Sequence, residues 1–314
     1  MSAAPFPPLE LANRVGSLEG EADPYAYYDA VGRRTRDDIV AALPGDWSFD
    51  GKRVLDFGCG AGRTLRHFLP ETQTAEVWGC DIDADSVDWL ERELSPPLRV
   101  FRNEAEPPLP VDSESFDLIW ALSVFTHLVE TWSAWLLDLH RVLRPGGILL
   151  ATFMGEGMSE PMAGEEWREE RVGMNVLRYG QGWELGGPMV FHSPWWIREH
   201  WGRAFEVLHI TEKGFATVPE AGQGVAVLRR REGEFTAADL ERVDPAEPRE
   251  VQALVHGVGQ SRREIEELRR LGDHLRSENA QLEQRVKTYE DSTSWAITKP
   301  LRAAGERIRA RRDG

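Results

Sequence analysis

The segment VLDFGCGAGRT, residues 54–64, puts a carboxylate, Asp56, at the end of an apolar run and then glycines at 58, 60 and 62, with Cys59 between the first two. Glycines so placed let the backbone adopt positive φ and come close to a bound molecule. The spacing is G-x-G-x-G. A dinucleotide fingerprint would have its third glycine at 63, where Arg63 stands. A glycine-rich turn alone is a weak sign. A second acid, Asp81 in WGCDID, ends the next apolar run and is placed to accept hydrogen bonds from two ribose hydroxyls. The plainer alternative for both acids is that each only caps the helix that follows it.

These residues need a scaffold, and the pattern around them supplies one. RVLDF, EVWGCD, LRVF, FDLIWAL and GILLATF read as strands, while TLRHFL, DADSVDWLEREL and WSAWLLDLHRVL carry apolar residues at helical spacing. PGG at 145–147 is a stop signal between the last helix and its strand. Near-continuous apolar strands alternating with helices imply an α/β fold with a mostly parallel sheet covered on both faces. FEVLHIT and GVAVLRR have no helix between them and are expected to form an antiparallel hairpin closing one edge. Residues 155–193 break the regularity with Gly, Glu, Met and several aromatics, and read as a lid or substrate wall.

With these motifs in this order, the stretch from about Asp23 to Arg231 resembles the class I S-adenosylmethionine-dependent methyltransferases. The likeness rests on VLDFGCGAG, GCDID, PPLPVDSESFDLIWALSVFTHL and HRVLRPGGILLATF. It implies a Rossmann-like fold and S-adenosyl-L-methionine as cofactor. Asp56 and the Gly58–Gly62 turn, Cys59 and Gly60 included, would hold its methionine part. Asp81 would bind the ribose, Ile82 would pack on the adenine, and Asn103 or Glu104 would face the adenine edge. Ser123 would sit where the sulfonium end meets the acceptor. With the full motif set present, the capping-only alternative for the two acids loses most of its weight.

Methyl transfer is an in-line displacement, so alignment supplies much of the rate. A sugar hydroxyl is a poor nucleophile while neutral and benefits from a general base. His127, in SVFTHL, is the candidate catalytic residue, with packing or orientation as its alternative role. His140, His192 and His200 read as surface or core residues, and no grouping has metal-ligand spacing, so no metal is expected. Trp195, Trp196 and Trp201 read as core, whereas Trp167 and Trp183 are candidates to line an acceptor site. Tyr28 and Arg33, in the N-terminal stretch DPYAYYDAVGRRTRDDI, are possible cofactor contacts.

The net charge of −16 over 314 residues argues against nucleic acid as a partner. No apolar run is long enough to span a bilayer and none follows the N-terminus as a signal peptide. The two cysteines, Cys59 and Cys80, look reduced. A cytoplasmic location is expected. The catalytic domain is expected over 1–232 and a charged linker over 233–250. A coiled coil is expected over 251–290, with a basic amphipathic tail over 291–314. Taking Val251 as heptad position a, the a sites are Val251, Val258, Ile265, Gly272, Asn279 and Val286. The d sites are Leu254, Ser261, Leu268, Leu275, Leu282 and Tyr289. Nearly six heptads in phase point to a homo-oligomer through a coiled coil, the alternative being a lone amphipathic helix packed on the domain. Asn279 fits a register-fixing role.

From Ser292 onward there are six Lys/Arg against two acids, with Trp295 as an apolar anchor. Such a segment suits peripheral contact with the inner face of the cell membrane. STSWAITKPLR also resembles tails of the form S-x-S-W-x-I/L-T-x-P-L-R in bacterial glycosyltransferases and accompanying enzymes of cell-surface polysaccharide synthesis. Methyltransferase, coil and tail together are similar to chain-terminating methyltransferases of O-antigen synthesis, though those commonly include a kinase domain that this sequence lacks. The expected activity is O-methylation of a sugar, at or near the end of a surface glycan, in contact with a glycosyltransferase complex. A small-molecule or protein acceptor is the alternative. A coiled-coil scaffold that has lost catalysis is the alternative of another class.

Overall fold

A computed structural model describes residues 4–14, 18, 20–164, 166–182, 186–217 and 221–298. Trp183 and the basic part of the tail, from Lys299 onward, lie outside them. The chain divides into two compact units, 1–258 and 259–314.

In the first unit, helices α1 (Leu9–Arg14) and α2 (Pro24–Ala42) precede strand β1 (Arg53–Phe57). Then come β2 (Glu76–Asp81), α3 (Ala84–Glu93), β3 (Arg99–Arg102), β4 (Phe116–Ala121), α4 (Trp132–Val142) and β5 (Leu143–Phe153). A single turn, α5 (Glu156–Met158), leads to a small hairpin of β6 (Met174–Leu177) and β7 (Met189–His192). Next are α6 (Pro194–His200), β8 (Phe205–Phe215), β9 (Gln223–Arg230), α7 (Ala237–Glu241) and α8 (Pro248–Glu290).

The seven-stranded sheet has the order β3-β2-β1-β4-β5-β9-β8. β1 to β5 are parallel, and β9 pairs antiparallel with both β5 and β8, so the expected hairpin closes that end. Strand side chains alternate between two cores. Leu55, Phe57, Ile119, Ala121, Leu149 and Ala151 face one, with α4 and α6 packed on it. Val54, Leu118, Trp120, Ile148 and Leu150 face the other, beneath α2 and α3. Burial on both faces explains why these strands read as unbroken apolar runs.

Three local readings change. TLRHFL is not an α-helix but a 3-10 turn, Leu65–Phe68, followed by a second at Pro70–Gln73, because Pro70 interrupts continuation. PGG does not end α4, which stops at Val142. Instead it forms a bulge inside β5, where the pairing jumps from Phe116–Leu143 to Leu118–Ile148. The stretch 233–250 is not a bare linker. Thr236 and Asp239 form a reciprocal capping box on α7, and Leu240 and Glu250 are buried.

The second unit is the remainder of α8, continuous to Glu290, with a further helical turn over 293–298.

Candidate active site

The site lies at the carboxyl ends of β1, β2 and β4, where the strand order reverses between β1 and β4. That is the crevice in which open α/β sheets bind ligands. The loops after β1 and β4 meet there: a Cβ added at Gly58 (φ 81°) would lie 2.5 Å from Val124 Cγ2. At Gly62 (φ 78°) it would lie 2.7 Å from Leu90 Cδ2. The glycines are thus required both by φ and by space.

Asp81 ties this loop to the next. One carboxylate oxygen accepts the Gly60 N–H at 2.7 Å and the other accepts the Asp83 N–H at 2.9 Å. Burial pushes its pKa up, against the pull of these backbone donors. A carboxylate has about four acceptor sites, so capacity remains for further donors. Capping of the following helix is not its main role, since α3 has Asp83 at its N-cap. Asp56 is almost wholly buried, and desolvation pushes its carboxyl up to about 7. The Trp120 indole and the Arg63 guanidinium pull it down, and Asp81 adds to the rise. Cys59 and Cys80 are buried free thiols, raised well above the usual range by desolvation, and serve as small core groups.

Ile82 is an apolar side chain left 41% exposed just past Asp81. After β3, Asn103 is buried while Glu104 is exposed. Asn103 Nδ2 donates to the Glu104 carbonyl at 2.8 Å, and Asn103 Oδ1 is buried without a hydrogen-bond partner. Between the two, Asn103 has the unused acceptor. Ser123 adopts φ 58°, a left-handed conformation uncommon outside glycine. Its N–H donates to Thr152 Oγ1 at 2.8 Å, and Gln223 Nε2 donates to its hydroxyl at 2.9 Å. Thr152 and Gln223, from the ends of β5 and β9, thus join the site. No sequence motif marks them, because they arrive by strand pairing.

His127 lies on the same loop. Its Nδ1 donates to the Pro188 carbonyl at 2.7 Å, and desolvation lowers its pKa, so the ring is neutral at pH 7. In this tautomer the basic lone pair is on Nε2. The Val190 N–H donates to the Thr126 carbonyl at 2.8 Å, and the Tyr179 hydroxyl donates to Glu130. The β6–β7 hairpin is thereby fastened to the loop that carries Ser123 and His127.

The N-terminal helix contributes differently from expectation. Tyr28 is buried and its hydroxyl donates to the Ala61 carbonyl at 3.2 Å, bracing the glycine turn from behind. Arg33 is mostly exposed and paired with Asp29. Gly32 is the residue a sequence reading passes over. A Cβ there would sit 2.1 Å from the Arg63 carbonyl oxygen, so only glycine allows α2 this approach. Its sequence signal is a glycine in the middle of a 19-residue helix.

The remaining candidates are structural. Trp195, Trp196 and Trp201 are buried, and His192 lies among them, pushed down to about 3 by desolvation. His200 stacks on Trp196 and contacts Glu250 at 2.9 Å, and His140 contacts the Arg231 carbonyl. Trp167 packs against Met154, Val172, Met189 and Phe191, which makes it part of the lid's own small core. Among the described residues, no group of three or more His, Cys, Asp or Glu is arranged to hold a metal. Nor is any helix among them long and apolar enough to cross a membrane.

Residues 55–149 match the family model for a methyltransferase domain. The chain is 35% identical over 132 residues to phthiotriol/phenolphthiotriol dimycocerosates methyltransferase 1 of Mycobacterium ulcerans, covering 42% of this chain and 46% of that protein. It is 31% identical over 168 residues to malonyl-(acyl-carrier protein) O-methyltransferase of Enterobacter lignolyticus, covering 52% and 61%. The chain therefore spans about half the length of these relatives. A solved S-adenosylmethionine dependent methyltransferase from Mesorhizobium loti is similar at 16% identity and a TM-score of 0.45, over 68% of this chain and 100% of that one. The sheet order is Rossmann-like, and the segment that matches the methyltransferase-domain model runs from β1 into β5, the part that builds the crevice.

Proposed function

We propose that the chain transfers a methyl group from S-adenosylmethionine to a hydroxyl, the acceptor being a sugar of a bacterial cell-surface glycan, at or near its end. The observation that carries the reaction is the convergence of three parts on one crevice: the Gly58–Gly62 turn, Asp81 bonded to Gly60 N, and the Ser123–His127 loop. The residues present fit the cofactor. Asp56 offers a carboxylate to its cationic amine, Asp81 has acceptor capacity for the ribose diol, Ile82 offers an apolar face, and Asn103 Oδ1 is an unused acceptor for the adenine amine. When bound, the cofactor supplies an electrophilic methyl group on a sulfonium.

The chain's own residues do the rest. Ser123, held by Thr152 and Gln223, shapes the point where the acceptor enters. His127, neutral and oriented by the Pro188 carbonyl, accepts the acceptor's hydroxyl proton. The hairpin fastened over this loop limits water access. The sugar acceptor is supported by the likeness of the STSWAITKPLR tail to those of polysaccharide-synthesis enzymes. That likeness also supports a location at the inner face of the membrane beside a glycosyltransferase complex. A second reading, an acceptor hydroxyl or carboxyl on an apolar chain, is favoured by the names of the relatives. Calorimetry with S-adenosylmethionine tests the cofactor, and its absence of binding would overturn the reaction. Transfer of a labelled methyl to glycan acceptors, but not to fatty acids, supports the sugar; the reverse result selects the second reading. His127→Gln is expected to lower kcat about 100-fold.

A further inference from the structure

The first turns of α8 belong to the first unit and bury one face of the helix against it. Glu250 meets His200, Ala253 joins the core beside Gly173, and Asn175 Nδ2 donates to His256 Nδ1 at 3.0 Å. The heptad a/d seam is a different face. Val258, Ile265, Leu268, Leu275, Leu282 and Val286 are all 48–62% exposed. The docked face is satisfied, whereas the seam is an apolar stripe in contact with water. Over residues 258–289 it is about 47 Å long at 1.5 Å per residue.

We infer that this seam binds a second copy of the same helix, giving a parallel, in-register, two-stranded coiled coil. Asn279 selects the occupant. In a parallel pair it faces Asn279 of the other copy, and the two amides satisfy each other, a device that favours two strands. In an antiparallel pair matched over the same span it would face Leu268 and leave a buried amide without a partner. An apolar helix from another protein would leave the same deficit. The flanking charges agree at two of the three charged g–e′ contacts. Glu264 of one copy reaches Arg269 of the other, and Arg285 reaches Glu290, while Glu278 against Glu283 is the unfavourable pair. Gly272 and Ser261 leave two thin layers, so the pair forms reversibly with concentration. This inference does not depend on the reaction.

Light scattering on the full chain between 1 and 100 µM is expected to show mass rising toward twice 35.5 kDa. Leu268→Asp/Leu275→Asp should stay monomeric at 100 µM, an affinity loss of at least about 100-fold, with unchanged melting of the first unit. Leu282→Cys, at a d position, should form an intermolecular disulfide on mild oxidation. Ser277→Cys, on the outer face, should not. The native Cys59 and Cys80 are buried and do not compete. A monomer at every concentration, a trimer mass, or an unchanged dimer in the double Asp variant would overturn the inference. So would a dimeric Leu282→Cys that fails to cross-link.

Discussion

The two units use apolar residues in opposite ways. In the first, strand residues such as Leu55, Trp120 and Leu150 are sealed from solvent by helices on both faces. In the second, Leu268, Leu275 and Leu282 are as regularly spaced but stand in water. The difference teaches that hydrophobic period predicts an element, not its partner. A sheet finds its cover within the chain, because crossover helices return over it. The 43-residue helix α8 keeps an apolar stripe that nothing in the chain covers among the described residues.

The sharpest way to break this contrast is at the junction. Glu250→Ala leaves buried His200 Nε2 without its hydrogen-bond partner, at a cost of about 1–3 kcal/mol. Calorimetric melting of the first unit should register it. The seam variant Leu268→Asp/Leu275→Asp should leave the same transition within about 0.5 kcal/mol. If both shifted the same transition, the two units would not be separable.

Asp81→Ala removes the acceptor for Gly60 N and, on the proposed reading, for two cofactor hydroxyls. Binding of S-adenosylmethionine should weaken about 100-fold by calorimetry, while oligomeric mass is unchanged.

A pH-dependent effect follows from Asp56. Its carboxyl is raised to about 7 in the folded chain from an ordinary 3.8. The folded state therefore holds its proton more tightly than the unfolded one. The stability this contributes is full below the unfolded value and is lost as pH rises through 7. Asp56→Asn should melt at a higher temperature than wild type at pH 8 and equally at pH 4. Cofactor binding runs the other way. On the proposed reading the cationic amine pairs with the ionised carboxylate, so wild-type affinity should rise up to tenfold per pH unit below 7 and level off above it.

The smallest expected effect is in the second unit. Trp295→Ala should reduce flotation with anionic vesicles severalfold, and added salt should reduce it further. A wild-type chain that does not float would assign the tail to a protein partner.

Much of the site was legible beforehand because it is local. Asp56, the three glycines and Asp81 sit at strand ends, where turn chemistry and residue type coincide. Asn103 and Glu104 were not separable in sequence. Burial separates them, since one follows the sheet inward and the other faces solvent. Thr152, Gln223 and Gly32 were invisible for another reason. Their partners lie 29, 100 and about 31 residues away, and only strand register and helix packing bring them together.

The amino-acid sequence by itself determined the α/β alternation, the glycine turn, the acids that flank it and the heptad phase of α8. Each follows from short-range rules of backbone freedom and side-chain period. Tertiary structure alone decided which residues meet across the crevice, that the hairpin is fastened over His127, and that α8 spends one face on its own domain and leaves the other exposed. Those outcomes depend on long-range burial, which no local window contains.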